Sequence, residues 1–216
     1  MNILDSFSVV LYLYWVGLLV ITMASLVLAI LAFRLGKQPF VIASAATLAG
    51  ALLLASLPVG DAPVAFSVVI ALAGLVLAVI GGGPAAVLAL HLATKDSVAP
   101  GSHGGILVGT ETTSAATGTA GSAGSAIEGP ADSTASAAVH EVLRGGLTIG
   151  ILERLAVAGA ILAGFPEALA VVVAIKGVGR FTELASSEAR ERFIIGTFAS
   201  LIWACACVIL VSLAQS

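Results

Sequence analysis

Apolar residues run almost unbroken from Val9 to Phe33, pause at "RLGKQP", resume through "FVIASAATLAGALLLASL", and pause again at "PVGDAP". A third run starts at Val64, a fourth at residue 144, a fifth follows "GFPE" at 164–167, and a sixth ends the chain. Runs of about 18 apolar residues or more are long enough, as helix, to cross a hydrocarbon core of roughly 30 Å. Each interruption carries the Gly or Pro that ends helices. The pattern predicts six spans at 8–33, 39–57, 64–80 with an extension to 93, 144–163, 166–181 and 192–214. The expected fold class is therefore all-α: a polytopic helical membrane protein of about six transmembrane helices.

Residues 95–140 break this pattern. "TETTSAATGTAGSAGSAIEGPADSTASAA" is Gly, Ala, Ser and Thr with few large apolar side chains, so it buries too little surface to offset chain entropy. It reads as a flexible linker. The expected organisation is a first membrane half at 1–94, the linker at 95–140 and a second half at 141–216, each half with three helices. Three spans on either side of a linker give halves of opposite orientation, the arithmetic of inverted-repeat transporters. No residue pattern is shared between the halves.

Composition agrees with the apolar pattern. The chain is 59% hydrophobic and 10% charged, against roughly 25% charged in soluble domains, and its mean hydropathy is +1.14. A net charge of −3 without a basic cluster gives no footprint for nucleic acid or anionic lipid. The expected surroundings are the lipid bilayer and either a second copy or another membrane protein. Cys205 and Cys207 point to different sides of one helix and read as apolar fillers. "MNILDSFSVVLYLYWVG" lacks a basic n-region and a small-residue cleavage site, so it reads as a retained first span.

The cations set an orientation. Arg34 and Lys37 follow the first span, Lys95 and Arg144 flank the linker, and Arg180, Arg190 and Arg192 lie at the fifth loop, Arg180 and Arg192 at the span ends that border it. The opposite loops and both tails hold only the acids Asp5, Asp61 and Glu167. The excess of Lys and Arg on one side places those loops and the linker in the cytoplasm and both termini outside. Tyr12, Tyr14 and Trp15 then belong to an outer aromatic belt. Glu167, after Pro166, reads as a first-turn acid.

Two cations and one acid remain inside the spans. Glu153 lies eleven residues before Gly164 and Lys176 eleven after Phe165. At about 1.5 Å per residue both sit roughly 16 Å below the turn, near mid-membrane. A lone charge there costs at least about 2.5–3.5 kcal/mol, so pairing or a wet cavity is expected. Glu153 shares a helix side with Gly146, Gly150, Ala156, Ala160 and Gly164, whereas Leu152, Leu155 and Leu162 lie on another; small residues mark close helix contact. Lys176, Arg180 and Glu183 follow at i, i+4 and i+7, and the sixth span offers Gly196, Thr197, Ser200, Trp203 and Cys207. The candidate intramembrane polar site is thus Glu153, Arg154, Lys176, Arg180, Thr197 and Ser200. A buried ion cluster that only docks helices would account for the same charges.

Gly81, Gly82, Gly83 and Pro84 form the notable feature of the first half. They either break the third helix at a transport site or simply end the span at Gly81, before an apolar surface helix carrying His91. The second version is the expected one. His91 alone makes a poor metal site, and "HEVLR" at His140 lacks the second His of a metalloprotease helix. No catalytic set, metal-ligand spacing or cofactor motif appears, so no catalytic residue, metal or cofactor is expected, and the chain does not read as an enzyme.

"LRGG" at 143–146, "IGILER" at 149–154, "PE" at 166–167, "KGVGR" at 176–180 and "ERFIIGT" at 191–197 resemble a family of uncharacterised actinobacterial multi-pass integral membrane proteins. The same family has a Gly-Gly-Pro element before a variable linker. The resemblance covers about the last third of the chain and implies a cytoplasmic-membrane location and little chemistry. Two functions stay open on the sequence. One is a transport-related or accessory membrane subunit; the other is a non-catalytic scaffold of an envelope-associated membrane complex.

Overall fold

The computed structural model describes residues 3–60, 62–94, 146–181, 184 and 186–215, and these are helical apart from short connections. In chain order the helices are α1 (Ile3–Leu35), α2 (Gln38–Ala55), α3 (Val64–Thr94), α4 (Gly146–Leu162), α5 (Ala168–Gly179) and α6 (Ser187–Leu213). The helices on both sides of residues 95–145 belong to one compact unit. The linker expected at 95–140, together with His140, Arg144 and Glu183, lies outside the described residues.

Four helices, α1, α2, α3 and α6, are long and apolar enough to cross a membrane. The chain is thus a helical membrane protein by this measure. α4 has 17 residues and α5 only 12, about 25 Å and 18 Å of helix. Both fall short of the roughly 30 Å core.

The four long helices form the frame. α3 lies along α6 and α1, α1 along α2, and α2 also touches α6 and α3. Between α1 and α2 the contact is close enough for reciprocal hydrogen bonds. Ser25 Oγ donates to the Ser44 carbonyl and Ser44 Oγ to the Ser25 carbonyl, each at 2.9 Å. Small hydroxyl residues allow such approach, and the bonds keep the hydroxyls satisfied away from water. On α6 the face Ser200, Trp203, Ala204, Cys207, Val208 and Val211 is buried, and Cys207 is one of the core side chains.

Turn chemistry explains the connections. Gly36 ends α1 at φ 63°, and its N–H reaches the Ala32 carbonyl at 2.9 Å. Gly164 ends α4 at φ 86°, with Gly164 N–H on the Ile161 carbonyl and Phe165 N–H on the Ala160 carbonyl. This is the paired Schellman closure that favours Gly at the left-handed position. "GFPE" is therefore a true turn, and α4 and α5 form a hairpin. Ser186 caps α6 by accepting from Ala189 N–H at 3.1 Å.

Three expectations change. α3 does not end at Gly81: it runs through Pro84 as one 31-residue helix, because its glycines receive side chains from α4 and α6. Trp15 does not belong to a surface belt; it is 4% exposed in the core. Only Tyr12 of that trio is openly exposed, while Tyr14 Oη donates to the Leu54 carbonyl at 2.8 Å. Finally, the core-facing stripe of α4 is centred on Arg154, Val157 and Ala158, not on the Glu153 face, where Ala156 is exposed. Leu152, Leu155 and Leu162 do face outward.

Candidate functional site

On α4 the residues Gly150, Arg154, Val157, Ala158 and Ile161 recur at helical spacing and turn toward the bundle. Val157 and Ala158 are fully buried, and Arg154 retains only 5% exposure. A guanidinium so placed needs acceptors, because burying an unpartnered charge is prohibitive. Arg154 Nε donates to the Val79 carbonyl at 2.7 Å and Nη1 to Ser200 Oγ at 2.9 Å. Val79 is the middle residue of α3, Ser200 of α6 and Arg154 of α4. One side chain thus joins three helices at their midpoints.

The glycine run makes this junction possible. A Cβ on Gly82 would collide with Arg154 Cδ, and one on Gly81 would come within 2.5 Å of Trp203 Nε1. Trp203 Nε1 in turn donates to the Leu77 carbonyl at 3.0 Å. Pro84 supplies no N–H to the carbonyl of Ile80 and crowds that turn. Two external donors, Arg154 and Trp203, engage the neighbouring Val79 and Leu77 carbonyls in the turns just before it. The Gly-Gly-Gly-Pro stretch is a socket for side chains from distant parts of the chain, with the helix intact.

Glu153 points elsewhere, since neighbouring residues on a helix diverge by about 100°. It forms an ion pair with Lys176 Nζ across the hairpin, with the two side chains 13% and 16% exposed. Lys176 Nζ also lies 5.8 Å from the ring centroid of Phe193, a cation–π distance that ties α5 to α6. The placement of Glu153 and Lys176 at one depth follows from the symmetric spacing about the turn.

Five of the six candidate residues therefore fall into two adjoining groups. Arg154 and Ser200 meet directly, and Thr197 is buried one turn from Ser200 on α6. Glu153 and Lys176 meet each other. Arg180 is half-buried as the residue that closes α5, and among the described residues it joins neither group. Val79, Gly81, Gly82 and Trp203 belong to the site but were not grouped with the charges in the sequence. The signal was present in the Gly-Gly-Gly-Pro run, whose glycines mark close approach as readily as a helix end. Among the described residues, no group of His, Cys, Asp and Glu could hold a metal ion.

No family model, curated protein or solved structure matches the chain.

Proposed function

We propose that the chain is a multi-pass protein of the cytoplasmic membrane with a transport-related or accessory role, its site lying where α4 and α5 meet α3 and α6. One observation carries the reading. Three ionisable side chains, Glu153, Arg154 and Lys176, are largely shielded within an apolar helical assembly, where charge is costly and ionisable residues mark pathways for ions or solutes. The likeness of residues 143–197 to actinobacterial integral membrane proteins supports the location. In this reading α4 and α5 complete six crossings as a short hairpin, and residues 95–140 form a cytoplasmic linker. A second copy or another membrane protein shares the bilayer with it; α5, which has no buried residue, presents a face for lipid or such a partner.

Both termini are then outside. A fluorescent protein fused after Ser216 should stay dark in the oxidising exterior, and alkaline phosphatase fused there should be active. Bright fluorescence with inactive phosphatase would refute the orientation.

A scaffold remains the second reading, and a specific observation favours it: Arg154 stitches α4 to α3 and α6. Exchanging the pair, Glu153→Lys with Lys176→Glu, separates the two. The exchanged pair keeps attraction across the hairpin, so the folded yield should recover from the loss that either single change causes. A site acting on protons or solutes should stay inactive in the exchanged protein. The readout is the solute-evoked current of proteoliposomes on a solid-supported membrane, over a panel of ions, acids, amines and sugars. Parental currents in the folded exchanged protein would sink the transport reading at this pair.

A further inference from the structure

We infer that the Arg154 centre is a binding site for a small monovalent anion, which deepens, and rests on, the transport-related reading above. Among the described residues the charges do not balance. Glu153 is matched by Lys176, whereas Arg154 is held by two neutral acceptors, the Val79 carbonyl and the Ser200 hydroxyl. No carboxylate among the described residues lies within ion-pair distance of its guanidinium. The group is always protonated, so among the described residues the centre holds a positive charge in an apolar interior with no carboxylate bonded to it.

The geometry also leaves an edge for a ligand. Nε and Nη1 are engaged, and Nη2 lies between Gly83 of α3 and Gly150 of α4. A Cβ on Gly83 would meet only Nη2, at 3.8 Å, and one on Gly150 would find Nη1 at 3.3 Å and Nη2 at 3.6 Å. Neither wall carries a side chain, and the position a Gly83 Cβ would take, 3.8 Å from Nη2 with nothing else within 4 Å, is open to a ligand atom. One anionic charge balances the centre, and the narrow approach suits a halide or a carboxylate end. A dianion would overcompensate the charge and lose more hydration. The two bonds Arg154 now makes carry charge on the donor alone; an anion would add a charged acceptor, which shortens and strengthens the bond.

The test uses full-length protein in phosphatidylcholine nanodiscs, with Trp15→Phe so that Trp203 alone reports. Trp203 grips the same segment of α3 as Arg154, one turn from Ser200 on α6. Chloride and acetate are titrated at constant ionic strength held with sulfate, which also serves as the dianion control. A saturable change in Trp203 emission with either monoanion is expected. Gly83→Val should weaken it by about tenfold or more, because a side chain there occupies the space beside Nη2, where a Cβ meets nothing else within 4 Å. Arg154→Gln should abolish it; the glycine variant keeps the test decisive if that protein does not fold. No saturable response to either monoanion, or an undiminished response in folded Gly83→Val, overturns the proposal. Repeating the titration in phosphatidylglycerol nanodiscs places a lipid source: a site already saturated there takes its anion from a headgroup, and an unchanged titration assigns it to the soluble ion. Saturable binding without protein-dependent current in proteoliposomes upholds this site and removes the transport role. Solute-evoked current in a protein that fails the titration does the reverse.

Discussion

Gly81→Ala is expected to lower the thermal unfolding midpoint of the purified protein by about 5 °C, the equivalent of roughly 2 kcal/mol for overpacking in a chain of this size. A single methyl has this effect because of what it meets. The added Cβ would sit 2.5 Å from Trp203 Nε1 and 2.6 Å from two further ring atoms. The indole is rigid, 7% exposed and fixed by its bond to the Leu77 carbonyl, so it cannot yield locally. It must break that bond or push α6 away from α3, the most extensive helix contact among the described residues. Gly177 on α5 offers the contrast: nothing lies within 4 Å of its added Cβ. Gly177→Ala should therefore be neutral or stabilise by about 0.5–1 kcal/mol through helix propensity. Trp203→Phe tests the cause, since the smaller ring relieves the clash. In that background the cost of Gly81→Ala should fall by at least about 1 kcal/mol, a coupling expected only of residues in contact. Equal costs in both backgrounds, measured by differential scanning fluorimetry, would mean that the glycine does not serve the Trp203 ring.

The same socket marks the limit of what the sequence could disclose. Hydropathy runs located all six helices, and the long frame helices followed from them because span length is a local property. The turn at Gly164 was legible because its glycine and proline lie beside the runs they end. The level placement of Glu153 and Lys176 needed only counting along two antiparallel helices. By contrast, the partners of Gly81 and Gly82 stand far along the chain, Trp203 being 126 residues from the Leu77 carbonyl it reaches. Locally, Gly-Gly-Gly-Pro reads as a stop; with Arg154 and Trp203 in place it is a contact. Arg154 was named together with Ser200, which it meets, but the face of α4 it occupies was not read, for a related reason. Grouped with Glu153 by adjacency and charge, it lies about 100° round the helix. Its own stripe of Gly150, Val157, Ala158 and Ile161 is apolar and small, the pattern of a core face interrupted by one cation. The shortness of α5 also escaped sequence reading, because "KGVGR" continues an apolar helix without a strong break although the helix ends at Gly179.

Removing the Arg154 side chain should have the largest effect of any single change at the site, and its remedy distinguishes structure from function. Arg154→Ala deletes two charge-assisted hydrogen bonds, strands Ser200 Oγ among helices and opens a void beside Gly82. With about 1–3 kcal/mol for each buried group left unsatisfied and a further cavity term, a loss of roughly 3–5 kcal/mol is expected. The cation itself opposes this, since carrying it at mid-membrane costs about 2.5–3.5 kcal/mol on the mildest scale. The two magnitudes are comparable, so replacing the charge by an apolar side chain of similar length, with its partner also made apolar, should come out near neutral. Buried polar clusters elsewhere tolerate such exchange. Arg154→Met combined with Ser200→Ala is accordingly expected to recover most of the stability lost in Arg154→Ala, within about 1 kcal/mol of the parent. Arg154→Lys should not, because a single ammonium on a flexible stem cannot reach both the Val79 carbonyl and Ser200 in the forked geometry of a guanidinium. Thermal unfolding of the four proteins decides the matter. A Met/Ala protein as stable as the parent but silent in the Trp203 titration and in proteoliposome currents would mean that the arginine is retained for chemistry the fold does not need. If the Met/Ala protein instead remains as unstable as Arg154→Ala, the guanidinium is the clamp that holds α4 to α3 and α6, and the scaffold reading takes precedence.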